Sequence, residues 1–127
     1  MKWMVALAAI WLGGCVSMRG GSVERPAEVN HVVFFKLRSP GDAAALIADS
    51  DATLPRIPGV VSYFAGRHVD VGRTNVERNY DVGLYVGFDS EAAYRGYLDH
   101  PLHTELVTRW RPKWEWIRIY DVGDPTP

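Results

Sequence analysis

The sequence predicts an α+β domain of element order β-α-β-β-α-β: four antiparallel strands in one sheet, with helices on one face. Three observations predict it. Four short segments are rich in β-branched and aromatic residues, and each is bounded by Pro, Gly, Asp or Ser. Two segments with helical composition alternate with them. The third strand segment shows clean period-two alternation, with Val82, Leu84, Val86 and Phe88 on one row and Asp81, Gly83, Tyr85 and Gly87 on the other.

Each element follows from its residues. Val29 to Leu37 is the first strand, closed by Ser39-Pro40-Gly41-Asp42. Ala43 to Leu54 is rich in Ala and Leu and reads as a helix, with Asp42 as its N-cap. Pro55, Pro58 and Gly59 stop it. Val60 to Val69 is the second strand, with Gly66 as a candidate bulge. Asp70 to Asn79 is a polar loop, and Tyr80 to Phe88 the third strand. Asp89-Ser90-Glu91 starts a second helix, its acids near the positive end of the helix dipole. Pro101 disfavours helical geometry at His100, so the chain kinks there before a further helical segment, His103 to Arg111. Trp114 to Val122 is the last strand, and 123–127 a tail.

The chain has 127 residues, one domain's worth. Apolar residues make up 47% and charged residues 23%, the balance of a folded soluble domain. Fourteen Lys and Arg against fifteen Asp and Glu leave a net charge of −1, which argues against a nucleic-acid partner. The single Cys excludes an internal disulfide and a Cys-rich zinc site. No Gly-rich phosphate loop opens a helix.

Residues 1–15 read MKWMVALAAIWLGGC. Lys2 precedes an apolar run from Trp3 to Leu12, too short to span a bilayer of roughly 30 Å but the length of a secretory signal's apolar region. Leu12-Gly13-Gly14-Cys15 resembles a bacterial lipobox. That resemblance implies a signal peptide over 1–14 and lipidation of Cys15, the anchor holding the protein on a membrane. Residues 15–28 then form a flexible tether, and 29–122 the domain. No Asp follows Cys15, so the retention signal of inner-membrane lipoproteins is missing. The expected location is the cell envelope, on the periplasmic side of the outer membrane in a Gram-negative cell.

Both sheet faces carry large apolar groups. His31, Val33, Phe35 and Leu37 alternate with Val32, Phe34 and Lys36, and Val61, Tyr63 and Ala65 with Ser62 and Phe64. One helical layer covers one face. The other leaves Val32, Phe34, Tyr63 and Tyr85 in need of cover, and a second copy is the simplest partner. The expectation is a homodimer through the open sheet face.

Several of these strings together resemble the stress-responsive A/B barrel domain (Dabb) family. They are His31-Val32-Val33-Phe34-Phe35-Lys36-Leu37, Ile57-Pro58-Gly59-Val60, the third strand through Ser90, Tyr97-Leu98-Asp99-His100-Pro101-Leu102-His103, and Ile119-Tyr120-Asp121. The resemblance implies a ferredoxin-like fold whose two-fold dimer forms an α+β barrel. The family's polyketide-cyclising branch works without metal or cofactor. It uses the Tyr and second His of the Tyr-x-x-His-Pro-x-His string as acid/base groups, which are Tyr97 and His103 here. Its strand-one His is matched by His31. Where that branch has a His on the third strand, this chain has Val82.

Tyr97, His103 and His31 are therefore the candidate catalytic residues, with His100, Phe35 and Tyr94 as candidate binding residues for a small-molecule ligand. Histidine exchanges protons near neutral pH, and a Tyr hydroxyl polarises a carbonyl. A structural alternative stands beside this: His100 caps the helical segment after Pro101, and Tyr97 is core. His31, His100 and His103, with Asp99, also form a candidate metal set, although no metal or cofactor is expected. Trp114 and Trp116 share a strand face by alternation, and Trp110 ends a helix; all three read as core or interface mass. Arg109, Arg111, Lys113 and Arg118 read as a solvated face.

Overall fold

The computed structural model describes residues 23–126. The elements are β1 (Val29–Leu37), α1 (Ala43–Thr53), β2 (Val60–Gly66), β3 (Val82–Phe88), α2 (Glu91–Asp99), α3 (Pro101–Trp110) and β4 (Trp114–Gly123). Short 3-10 turns at Pro40–Asp42, Leu54–Arg56 and Arg111–Lys113 join some of them. The sheet order is β2-β3-β1-β4, with every neighbouring pair antiparallel. This is the expected ferredoxin-like α+β arrangement. Asp42 stands at the N-cap of α1, but its side chain makes no capping hydrogen bond. β2 stops at Gly66, three residues earlier than its composition suggests.

The core lies between sheet and helices. Val82, Leu84, Val86 and Phe88 on β3 are buried, as the alternation predicts, against Leu46 and Leu54 from the α1 side and Tyr97, Leu106 and Trp110 from α2 and α3. Arg109 grips Asp49 with two hydrogen bonds of 3.1 and 3.0 Å, and the Trp110 indole N–H donates to the same carboxylate at 2.7 Å. These bonds tie α3 to α1.

Two bulges change the faces of individual residues. Between Val60 and Ser62 the register of β2 against β3 shifts by one residue, so the irregularity lies at Val61 and not at Gly66. Tyr63 pairs with the buried Val86 on the helical face, and its hydroxyl donates to Asp51 of α1 at 2.8 Å. Tyr63 thus leaves the open face, and the ring exposed there is Phe64, paired with Tyr85. On β4, Leu37 opposes Trp114 while Lys36 opposes Trp116, which leaves Glu115 as the extra residue. Trp114 therefore packs on Phe35 in the core, with ring centroids 5.4 Å apart. Trp116 lies on the opposite face with Phe34, Tyr80 and Tyr120.

The segment before β1 is fastened to the sheet from Arg25 onward. Arg25 forms a two-bond ion pair with Asp124. The Pro26 carbonyl accepts from the Ser62 hydroxyl at 3.1 Å, and the Ala27 carbonyl accepts from the Asn30 amide at 3.1 Å. Ala27 fits because Gly87 has no side chain: a Cβ there would lie 2.6 Å from that of Ala27. The predicted tether to residue 28 thus gives way to ordered chain at its last residues.

Candidate functional site

The site is built around the break between α2 and α3. Ser90 starts α2, its Oγ accepting from the Ala93 N–H at 3.1 Å. Pro101 holds His100 in extended geometry (φ −69°, ψ 136°) and stands at the first position of α3. The His100 Nδ1 accepts from the Leu102 N–H at 3.2 Å. His100 is therefore the α3 cap, with one ring nitrogen spent on backbone.

The break brings the last turn of α2 onto the first turn of α3. The Tyr97 and His103 rings lie 4.4 Å apart, centroid to centroid. The His103 Nδ1 donates to the Leu98 carbonyl at 3.1 Å. A carbonyl only accepts, so in the neutral ring the proton sits on Nδ1 and the lone pair on Nε2. Burial pushes the His103 pKa below the ordinary His value, against the Leu98 bond, which raises it; the nearby His31 also lowers it. His103 is thus a neutral base at pH 7.

His31 enters from the centre of the sheet on β1, directly across from Asp121 on β4. Its Nδ1 lies 2.6 Å from Asp121 Oδ1 and 2.9 Å from the Tyr94 hydroxyl oxygen. Tyr94 in turn donates to Asp121 Oδ2 at 2.9 Å. The consistent assignment has His31 donating from Nδ1 to the carboxylate, which again leaves Nε2 with the lone pair. The His31 side chain is 6% exposed and that of Asp121 46%, so the carboxylate backs a buried ring from a wetter position. Burial, then the bond to Asp121, pushes the Tyr94 pKa up.

Tyr97 is 1% exposed, and its ring lies 6.0 Å from that of His31. Its hydroxyl has no hydrogen-bond partner among the described residues. Burial, and then the neighbouring Tyr94, pushes its pKa up, so it stays protonated and able to donate.

These groups share a cavity of about 310 Å³ between sheet and helices. His31, Tyr94, Tyr97 and His103 line one part. Val33, Phe35, Leu46, Leu54, Trp110 and Trp114 give most of the remainder an apolar wall, with Arg111 also part of the lining. The volume is at the lower end for a small-molecule site. The helices leave edge strand β4 partly bare: Ile119 is 52% exposed although it lines the cavity. Of the six sequence candidates, His31, Phe35, Tyr94, Tyr97 and His103 line this cavity, and His100 does not. Asp121 was missed by sequence reasoning. Its signal was a lone acid ending the apolar row Ile117, Ile119. Among the described residues, no three His, Cys, Asp or Glu side chains gather as a metal site. The predicted lipidation at Cys15 and the signal peptide over 1–14 lie outside the described residues.

Two lone-pair nitrogens with fixed tautomers, a protonated phenol and an apolar wall make a site suited to holding a carbonyl group and moving a proton beside it. This element order and sheet topology define a ferredoxin-like α+β domain. The stress responsive A/B barrel domain (Dabb) family matches residues 29–124, and the chain belongs to that family. Comparison with curated proteins gives no match. Among solved structures, the chain is similar to a Dabb family protein with a ferredoxin-like fold from Mesorhizobium loti: 26% identity, 77% of this chain and 97% of that one covered, TM-score 0.64. It shares its fold with a dimeric ferredoxin-like protein of unknown function from Thermobifida fusca (24%, 76% and 90%, TM-score 0.62). It also shares it with SnoaB, a cofactor-independent oxygenase from Streptomyces nogalater (22%, 78% and 94%, TM-score 0.58).

Proposed function

We propose that this chain is a lipid-anchored cell-envelope protein whose domain binds a small, largely apolar, carbonyl-bearing molecule. The observation that carries the binding reading is the 310 Å³ cavity on which His31, Tyr97 and His103 converge. In a binding role, Tyr97 donates to the ligand carbonyl and the apolar wall desolvates its body. The test is calorimetry with a panel of apolar ketones and acids. Filling the cavity by Leu106→Trp should abolish binding in a chain that still folds. Equal heats from that variant and the parent would sink the reading.

The Asp121–His31 pair favours a second reading, a cofactor-independent acid/base enzyme. Asp121 holds His31 in one tautomer and stabilises the charged ring once it has taken a proton. His103 Nε2 or His31 Nε2 takes a proton next to the carbonyl while Tyr97 stabilises the oxygen on which charge develops. The likeness to a cofactor-independent oxygenase supports it at the level of fold alone. Deuterium exchange at the carbon beside a bound ketone, followed by NMR, distinguishes the readings. Exchange lost in both Tyr97→Phe and His103→Gln supports the enzyme. No exchange in the parent chain leaves a binding protein.

The homodimer and the anchor belong to the same proposal. The open face presents Phe64 at 63% exposure and Tyr120 at 53%, beside Val32, Phe34 and Tyr85. A second copy is the partner that a self-complementary apolar face of this kind fits. Light scattering at micromolar concentration should give the mass of two chains; a single-chain mass refutes it. Leu12-Gly13-Gly14-Cys15 supports the anchor. Cys15→Ser should leave an unprocessed precursor and abolish membrane retention of the mature form; a cleaved, membrane-bound product contradicts it.

A further inference from the structure

The cavity wall also includes one cationic residue, Arg111. His31, Val33 and Phe35 line it along β1. Trp114 packs against Phe35 with the rings tilted by 49°, and Arg111, three residues earlier in the sequence, lines the same cavity. The basic side chains around Arg111 are occupied. Arg109 holds Asp49, and Lys113 pairs with Asp42 at 3.5 Å while lying over the Trp110 ring. Arg111 has no carboxylate partner among the described residues, and it is the one of the three among the residues that line the cavity. Glu115, its nearest acid in sequence, is not part of the cavity wall.

The two indoles there differ in the same way. Trp110 Nε1 donates to Asp49. Trp114 Nε1 is buried with no acceptor among the described residues. A buried donor without a partner is unusual and marks a place where an acceptor is missing. This N–H is closed to water, so reaching a ligand oxygen requires the indole to turn.

We propose that Arg111 and the Trp114 N–H form a carboxylate-recognition site, and that the molecule taken by this cavity is a medium-chain oxo acid with its carbonyl at His31, Tyr97 and His103 and its carboxylate at Arg111. This rests on the cavity being a ligand site. Its volume holds about ten heavy atoms at roughly 30 Å³ each, the share of one water. That number suits a chain of about eight carbons ending in a carboxylate. Arginine suits the role because its guanidinium is always charged and bonds both carboxylate oxygens in its plane.

The test is calorimetry with octanoate and 1-octanol on the mature chain, at pH 8, where an ordinary imidazole is uncharged. The parent should bind octanoate about tenfold more tightly than octanol, the effect of one charge-assisted hydrogen-bond pair. Arg111→Gln should bring octanoate to the octanol level and leave octanol unchanged. Arg111 is exposed, so this variant keeps the fold. Arg111→Lys should restore part of the preference, and Trp114→Phe should lose part of it. Equal binding of the two probes by the parent overturns the carboxylate site and leaves the cavity reading standing. A preference that survives Arg111→Gln overturns it as well, because the carboxylate is then held elsewhere. Binding of neither probe removes the cavity reading and this inference with it.

Discussion

Substituting Gly59 by Ala should loosen the whole helical half of the site. Gly59 turns the chain into β2 with φ +90°, a conformation that costs a residue with a Cβ about 1–2 kcal/mol. A Cβ there would also sit 2.6 Å from the Cβ of Ala93 and 3.3 Å from its Cα, in the first turn of α2. Backbone cannot swing aside as a side-chain tip does, so α2 itself must move. Overpacking of this sort costs about 1–3 kcal/mol. Together the two effects amount to roughly 2–5 kcal/mol, a large part of the ~5–15 kcal/mol that holds a domain folded. A cycle with Ala93→Gly separates them. That change costs about 1 kcal/mol alone through helix propensity, but it removes the closer, 2.6 Å contact. In its background, Gly59→Ala should cost the backbone strain alone, about 1–2 kcal/mol. Urea unfolding followed by circular dichroism on the four chains measures the cycle. Additive losses, or a Gly59→Ala chain within about 0.5 kcal/mol of the parent, would refute the close approach of turn and helix.

Three further outcomes are expected. His103 has a folded-state pKa below its unfolded value, so the unfolded chain binds its proton first. Its contribution to stability is whole above the ordinary His pKa of about 6.5 and falls as pH drops through that value toward the lowered one. His103→Gln should flatten the stability profile just below pH 6.5, above the range where carboxylates titrate, and an unchanged slope in unfolding curves counts against the assignment. His100→Ala removes the α3 cap and should cost about 0.5–2 kcal/mol, with His100→Asn recovering most of it; equal losses in the two variants would show that the ring acts through packing. Asp121→Asn should free the His31 ring to change tautomer, seen as altered nitrogen shifts and couplings of that imidazole by NMR. An unchanged ring spectrum would mean that Tyr94 alone fixes it.

Much of this was legible in the chain because strand alternation is a strict rule where the ladder is regular. The row Val82, Leu84, Val86, Phe88 and the inward aim of His31 follow from period two alone. The break at Pro101 and the His100 cap follow from the steric limits that proline sets on its predecessor. Period two fails where one residue is inserted. Glu115 carries no mark of a bulge, yet it sends Trp114 into the cavity wall and Trp116 to the other side of the sheet. Val61 is equally silent, and a count through it puts Tyr63 on the wrong face. Asp121 was hidden for another reason. Its role depends on which strand lies across from His31, and strand order is a long-range property that local pattern does not encode. Arg111 looked like one more solvated cation, because only the packing shows that its neighbours are spoken for.

The ion pair between Arg25 and Asp124 fastens the chain, ten residues after Cys15, to the segment that follows β4. If lipid holds Cys15, only about ten peptide units separate the bilayer from that clamp, at most about 36 Å at full stretch. So anchored, the folded part would stay within about two domain diameters of the bilayer, close enough to sample molecules leaving the membrane.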